Sequence, residues 1–280
     1  MRKPTLTDLE KLYAHHEHKH GFPCMMGSID CTAWEWENCP NSLRGQYARG
    51  DHGPHPFILL EAVASQDLWI WYAFFGVSGA NNNINVLRRS LIFNDIRSGR
   101  AAELEFKVND VQYNRGYYLT DGIYPQWSVL MKSISNPPTG DHKRILYKRK
   151  HEAARKDVER AFGVLKKKWK MLKVPARGLY KKDLRDIIYT CIILHNMIIK
   201  HEQRAISPTW FEAEVHQPHD PLHTFEESLA IVQELEDSST HLNLKSDLVE
   251  HIWSNRRNHR LNPDNEEEDE DDEEDDEEFL

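Results

Sequence analysis

The sequence has no apolar run long enough to cross a membrane. Its richest stretch, Phe57 to Val77, is broken by Glu61 and by Ser65-Gln66-Asp67, whereas a helical span needs about 20 mostly apolar residues. The apolar core of a signal peptide is lacking too, since MRKPTLTDLEKLYAHHEHKH is polar and charged along most of its length. Cysteine is scarce. Cys24, Cys31 and Cys39 cluster early and Cys191 lies far away, which excludes the disulfide framework of a secreted protein. No internal repeat is present. These absences point to a reducing compartment, nucleus or cytosol, and to no membrane partner.

What is present suits a globular body. A chain of 280 residues can bury one good core and a small second unit. Hydrophobic residues make up 39% and there are 8 Trp, too many for a disordered chain. The net charge of −9 is unevenly spread, because Glu266 to Glu278 are 13 consecutive acids. Without them the rest carries +4. A mildly basic body with a strongly acidic tail favours a nucleic-acid partner.

Thr7 and Glu10 form a capping pattern ahead of Leu9, Leu12 and Tyr13 at helical spacing, which predicts a short first helix. FPCMMGSIDCTAWEW alternates in part and predicts a strand. Met26, Ser28, Asp30 and Thr32 share one face of it, and Met25, Ile29 and Cys31 the other. After a Gly- and Pro-punctuated loop, Asn38 to Pro56, the runs FILLEAVA and LWIWYAFFGV predict a hairpin of strands covered on both faces. Asn81 to Phe93 turns helical with Ile84, Leu87 and Leu91 on one stripe, and GYYLTDGIYP predicts a further strand ended by Asp121-Gly122. A long helix follows from Asp141 to about Leu172, with Val158, Phe162, Leu165 and Trp169 at its apolar spacing. A second, 182–200, is apolar enough to be buried on most sides. The domain boundaries drawn from this pattern are an N-terminal helix (1–20), a nuclease domain (21–200), a linker (201–223), a helical extension (224–256) and a disordered acidic tail (262–280).

Three sequential strands, a helix, a strand and then long helices follow the order of a ribonuclease H-like α/β fold, a mixed sheet flanked by helices. Order alone is weak evidence of function. It gains weight because Asp30 lies in the first strand, Asp121 ends the fourth, and Glu159 projects from the helix that must pack beside them. Two-metal phosphoryl chemistry needs carboxylates on rigid elements, because Mg²⁺ or Mn²⁺ prefers oxygen ligands and two such ions must sit about 4 Å apart. Asp30, in mid-sheet, is the expected bridging acid.

From Arg2 to about Glu202 the chain closely resembles the DDE domain of plant Harbinger-type transposases and their domesticated relatives. The matching words are GFPCMMGSIDC, WEWENCP, GQYARGDHG, LEAVASQDLWIWYAFFG, NNNINVL, GYYLTDGIYP, RKDVERAFGVL and CIILHNMI. The resemblance implies that Asp30, Asp121 and Glu159 make a metal site for Mg²⁺ or Mn²⁺, and that the substrate is DNA. Members usually carry a further N-terminal region with a helix-turn-helix, and this chain starts almost at the catalytic domain. Sequence-specific recognition is therefore expected to need a partner, such as the separate Myb-like protein on which relatives often rely.

Each signal has a plainer rival. Asp121 before Gly122 is an ordinary turn residue. Asp157 lies about 200° around the helix from Glu159, so both cannot face the sheet edge, while Glu152 shares the stripe but lies roughly 10 Å away. Lys143 to Arg185 holds 17 Lys or Arg against 4 acids. That exceeds what solubility requires and predicts phosphate binding through Lys166, Lys167, Lys168 and Lys170. Arg155, one turn before Glu159, is the candidate for the scissile-strand phosphate, with Arg44 and Arg49 of the Gly-rich loop as weaker ones. The Cys and His spacings miss those of zinc sites, and buried thiols are the better reading. His195-Asn196 reads as a hydrogen-bonded core pair. The acidic tail is either a solubilising end or a segment for basic partners. The whole chain reads as a metal-dependent DNA endonuclease of the nucleus. The alternatives are a domesticated, non-cutting DNA- or chromatin-complex-binding protein and a decayed transposon fragment.

Overall fold

The computed structural model describes residues 2–97, 105–206 and 225–256. The expected linker is thus seen only up to residue 206, and the expected acidic tail lies outside the described residues.

Helix α1 (Leu6–His20) is capped by Thr5, whose hydroxyl accepts from Asp8 N–H while the Asp8 carboxylate accepts from Thr5 N–H. The expected Thr7/Glu10 cap is thus replaced by an equivalent pair two residues earlier. Strand β1 (Met25–Glu35) pairs antiparallel with β2 (Phe57–Ala64), and β2 pairs antiparallel with β3 (Ile70–Ser78). Two strands then add in parallel on the other side of β1, β6 (Tyr117–Thr120) and β7 (Leu130–Lys132), giving the order β3-β2-β1-β6-β7. Between them the chain forms the short helices α2 (Arg44–Tyr47), α3 (Asn83–Arg89) and α4 (Asn94–Arg97), and a separate hairpin, β4 (Phe106–Val108) with β5 (Val111–Tyr113). This mixed five-stranded sheet flanked by helices is the ribonuclease H-like fold.

Two long helices, α5 (His142–Lys168) and α6 (Lys181–His201), cover one face. Val158, Phe162 and Leu165 of α5 share a cluster with Ile58, Leu60 and Ala62 of β2 and Leu184, Ile188 and Ile192 of α6. The opposite face is covered by α3 and by α7 (Phe225–Leu235), where Leu87 and Leu235 join Ile29 and Val63. Helix α8 (Ser238–Ser254) sends Leu244, Leu248 and Ile252 into the cluster of Phe22, Tyr117 and Tyr147. Burial on both faces explains the unbroken apolar run of β2.

Three expectations need correction. A register shift between Met25 and Gly27 turns Met25 into the cluster of Tyr147 and Ala154, away from the face of Ile29. Gly27 permits this shift, because its φ is +146° and a Cβ there would meet the Ala64 carbonyl oxygen at 2.7 Å. Helix α3 ends at Arg89, so Leu91 is not on its stripe and is exposed. Helix α6 is not enclosed, because Ile193, Leu194 and Met197 face outward.

Candidate active site

The site begins with a pairing rule. Strands β1 and β6 run parallel with Ser28 opposite Leu119. Two residues further along each chain are Asp30, still within β1, and Asp121, just past the end of β6, close enough for the Asp121 charge to act on the Asp30 carboxyl. Helix α5 lies across this edge. The Ser28 hydroxyl donates to the Ala154 carbonyl at 2.9 Å, and Lys166 Nζ donates to Thr32 Oγ1 at 2.8 Å. Ser28, Asp30 and Thr32 therefore all face α5, as their alternation predicts.

Asp30 is held from two sides, its Oδ1 accepting from Cys31 N–H at 2.7 Å and its Oδ2 from Arg155 Nη1 at 3.2 Å. The same Arg155 nitrogen lies 2.7 Å from Glu159 Oε1. One guanidinium nitrogen thus bridges the strand acid and the helix acid. Burial pushes the Asp30 carboxyl up to about 6. The Cys31 N–H and Arg155 oppose that rise, while the charges of Asp121 and Glu159 add to it. The charges of Asp121 and Glu159 therefore both reach Asp30.

Asp121 opens the turn after β6. Its Oδ1 accepts from Ile123 N–H at 2.6 Å, an Asx turn that fixes the side chain just past the strand end. Three residues on, Tyr124 is buried and its hydroxyl lies 3.5 Å from Cys31 Sγ, tying the far side of this turn back to β1. Lys132, opposite Thr120 on β7, completes the edge. Burial lowers its pKa, and Asp121 opposes that change. Nothing in the sequence flagged Lys132, because a three-residue strand carries no usable alternation.

The rivals of Glu159 point elsewhere. Asp157 is buried and pairs with Arg160 at 2.5 Å, with Lys19 and Asp67 bearing on it from α1 and the β2–β3 turn. Glu152 pairs with Lys148 at 3.8 Å and reaches Ser133 Oγ at 3.5 Å. Among the described residues, no group of three or more His, Cys, Asp or Glu is placed to hold a metal ion. Arg155 stands between two of the acids instead.

Of the expected phosphate contacts, Lys167 and Lys170 are exposed, while Lys166 and Lys168 are half-buried. Arg44 is exposed on α2. Arg49 is engaged within its loop, bonding Asp51 and the Asn81 carbonyl and lying over the Phe57 ring. His195 Nε2 meets the Leu68 carbonyl at 2.9 Å, and the Asn196 amide exchanges hydrogen bonds with the Ile70 backbone at 2.8 and 3.0 Å, so this pair serves the core. All four cysteines are free thiols, and Cys39 and Cys191 are buried. No described helix is long and apolar enough to cross a membrane.

The profile of a family described as plant transposon protein matches residues 1–206. "Protein ALP1-like" from Arabidopsis thaliana is 25% identical over 199 residues, covering 71% of this chain and 48% of the relative. The chain thus spans about half the length of that relative. No solved structure matches.

Proposed function

Because the chain belongs to the plant transposon protein family, of Harbinger-type transposase origin, we propose that it is a metal-dependent DNA endonuclease in which Asp30, Asp121 and Glu159 form the catalytic centre. The observation that carries this reading is the set of acids around Asp30: Asp121 just past the end of the neighbouring strand, Glu159 linked to it through one Arg155 nitrogen, and both charges raising its pKa. A set of carboxylate oxygens on the middle of one strand, the end of the next and a helix suits a hard divalent ion. Arg155 already supplies one positive charge to two of these acids. Asp30, Asp121 and Glu159 would hold Mg²⁺ or Mn²⁺, whose chemistry is to activate water or a 3′ hydroxyl and to neutralise charge on the leaving oxygen. The protein's own part is to fix the acids on a rigid edge and keep Asp30 largely ionised at neutral pH. Arg155, once turned from the acids, is within reach of a scissile-strand phosphate. Plasmid nicking with Mg²⁺ or Mn²⁺, wild type beside Asp30→Asn, tests the reading.

A second reading has its own observation. Arg155 fills the space between Asp30 and Glu159 as an internal ion pair would. That favours a domesticated, non-cutting protein that binds DNA or a chromatin complex through the same fold. A nucleus is the setting for both.

Both readings place DNA on the basic end of α5. Replacing Lys166, Lys167, Lys168 and Lys170 by Ala is expected to weaken duplex binding about tenfold and to flatten its salt dependence by roughly 2 log units per log unit of salt, since each lost phosphate contact removes about 0.9. Exposed Lys167 and Lys170 should account for most of the effect, because Lys166 is tied to Thr32. An unchanged slope in a binding titration over salt would move the DNA face elsewhere. Phosphate contacts carry no sequence information, so a preference for particular DNA ends is assigned to a separate Myb-like partner.

A further inference from the structure

From just after α5 into the first turn of α6, residues 170–182 read KMLKVPARGLYKK, with five cations and no acid. The same stretch exposes Met171 (48%), Val174 (57%), Leu179 (60%) and Tyr180 (69%). Single exposed apolar side chains need no explanation, but four on one short connection do. The connection is also held rigidly. Trp34 Nε1 donates to the Val174 carbonyl at 2.9 Å, Trp36 Nε1 to the Gly178 carbonyl at 2.7 Å and Asn38 Nδ2 to the Arg177 carbonyl at 2.6 Å. Ala176 pairs with the β1 backbone, donating to Glu35 O at 2.7 Å and accepting from Glu37 N–H at 3.0 Å. Buried Leu172 and Ala176 anchor it from below. The end of the strand that carries Asp30 therefore presents apolar side chains to solvent on a fixed backbone.

We propose that this connection is a DNA wedge, in which Leu179 and Tyr180 press into the minor groove and unstack a base step while the flanking lysines hold the phosphates. The proposal rests on the nucleic-acid reading above and extends it to how the duplex is shaped. Charge selects the occupant. The patch continues the basic end of α5, and Lys is depleted at the centres of protein–protein interfaces. A second copy would set five cations against five. Apolar wedges flanked by cations are a general means of kinking duplex DNA by about 20–90°, the cost of unstacking being offset by the extra surface that the bend brings into contact. Position follows from geometry. From Asp30 to the tie at Trp36, β1 covers about 20 Å at roughly 3.3 Å per residue. On a duplex lying along β1 and α5, the unstacked step falls about six base pairs from the cleaved phosphate, at roughly 3.4 Å per step.

The test uses the full chain, without divalent metal, on duplexes of about 30 base pairs carrying 2-aminopurine at successive positions and dyes at both ends. Wild type is expected to raise 2-aminopurine fluorescence several-fold at one position and to bring the ends closer. The Leu179→Ala/Tyr180→Ala variant should keep its melting temperature, since both side chains are exposed, and lose about four-fifths of both signals. Its affinity should fall less than tenfold, because phosphate contacts supply most of the binding. Equal signals from variant and wild type would overturn the wedge. So would a wild-type dimer in sedimentation that the variant dissolves, which would make the patch an interface between copies. Wild type that binds DNA with no fluorescence change, yet nicks plasmid once Mg²⁺ is added, would remove the wedge and leave the nuclease. Absence of DNA binding altogether would remove both.

Discussion

Asp30→Asn is expected to lower metal-dependent plasmid nicking about a thousandfold or more, roughly 4 kcal/mol of barrier. Asn keeps the size of the side chain and its acceptor for the Cys31 N–H, so the strand should not change. What is lost is a negative charge at the point where Asp121 and Glu159 both act. Without it the site would bind divalent ions less tightly and align them poorly, and residues that work as a unit are not replaced by their neighbours. Asp121→Asn and Glu159→Gln should fall to a similar level, and Glu152→Gln, whose partners are Lys148 and Ser133, should stay near wild type. DNA binding in all four should persist within a few-fold, because the lysines proposed to hold the phosphates, at the C-terminal end of α5 and just beyond, are unchanged. Nicking by Asp30→Asn at the wild-type rate would sink the assignment. Intact DNA binding with no nicking by wild type would favour the non-cutting protein, with Arg155 as a permanent partner of the two acids.

The parts of this site that the sequence revealed are those with a long local signal. Asp30 sits mid-strand in a recognisable alternation, and Glu159 borders the two-turn apolar stripe of Val158, Phe162 and Leu165. What joins them is non-local. Parallel pairing of β1 with β6 brings the end of β6, with Asp121 just past it, toward Asp30 across 91 residues of chain, and only the order of elements and the family words hint at it. Strands of three residues, β4, β5 and β7, are too short for a period-two pattern, so Lys132 went unseen. The face of Met25 was misjudged because one bulge at Gly27 breaks the alternation. The apolar content of helix α6 suggests burial on most sides, yet hydrophobicity alone does not say which side a neighbour covers, and Ile193, Leu194 and Met197 face outward. Arg155 is expected at a scissile-strand phosphate, and here it bonds Asp30 and Glu159. A sequence shows that an arginine is near, but not which of two negative groups it prefers.

Glu61 gives the second large effect, on stability. It lies in β2 opposite Cys31, fully buried, and neither carboxylate oxygen makes a well-formed hydrogen bond. Around it are Cys31, Tyr72, Tyr124 and Ser90, none of them a cation. Burial pushes its pKa up to about 7 from 4.5, with the Ser90 hydroxyl opposing the rise. The sign follows from linkage. Below pH 4.5 the carboxyl is protonated in both folded and unfolded chains and costs nothing extra. Between there and pH 7 the unfolded chain ionises first, so stability falls as pH rises, and above pH 7 the full cost of about 3 kcal/mol is present. Glu61→Gln removes the ionisation and keeps the shape. Its stability relative to wild type should therefore grow by about 3 kcal/mol between pH 4 and pH 8, or roughly 6–12 °C in melting temperature for a chain of this size. Any fixed penalty from the new amide donors is the same at both ends and cancels in that difference. Parallel denaturant titrations of the two proteins at pH 4, 6 and 8 measure it. A difference that stays flat across the three would mean that Glu61 has a partner that keeps it ionised at the usual carboxylate pH. Because Glu61 sits across the strand pair from the residue after Asp30, nicking by the same variant measured at each pH separates the two roles. If the acid serves the fold alone, activity per folded molecule will match wild type throughout.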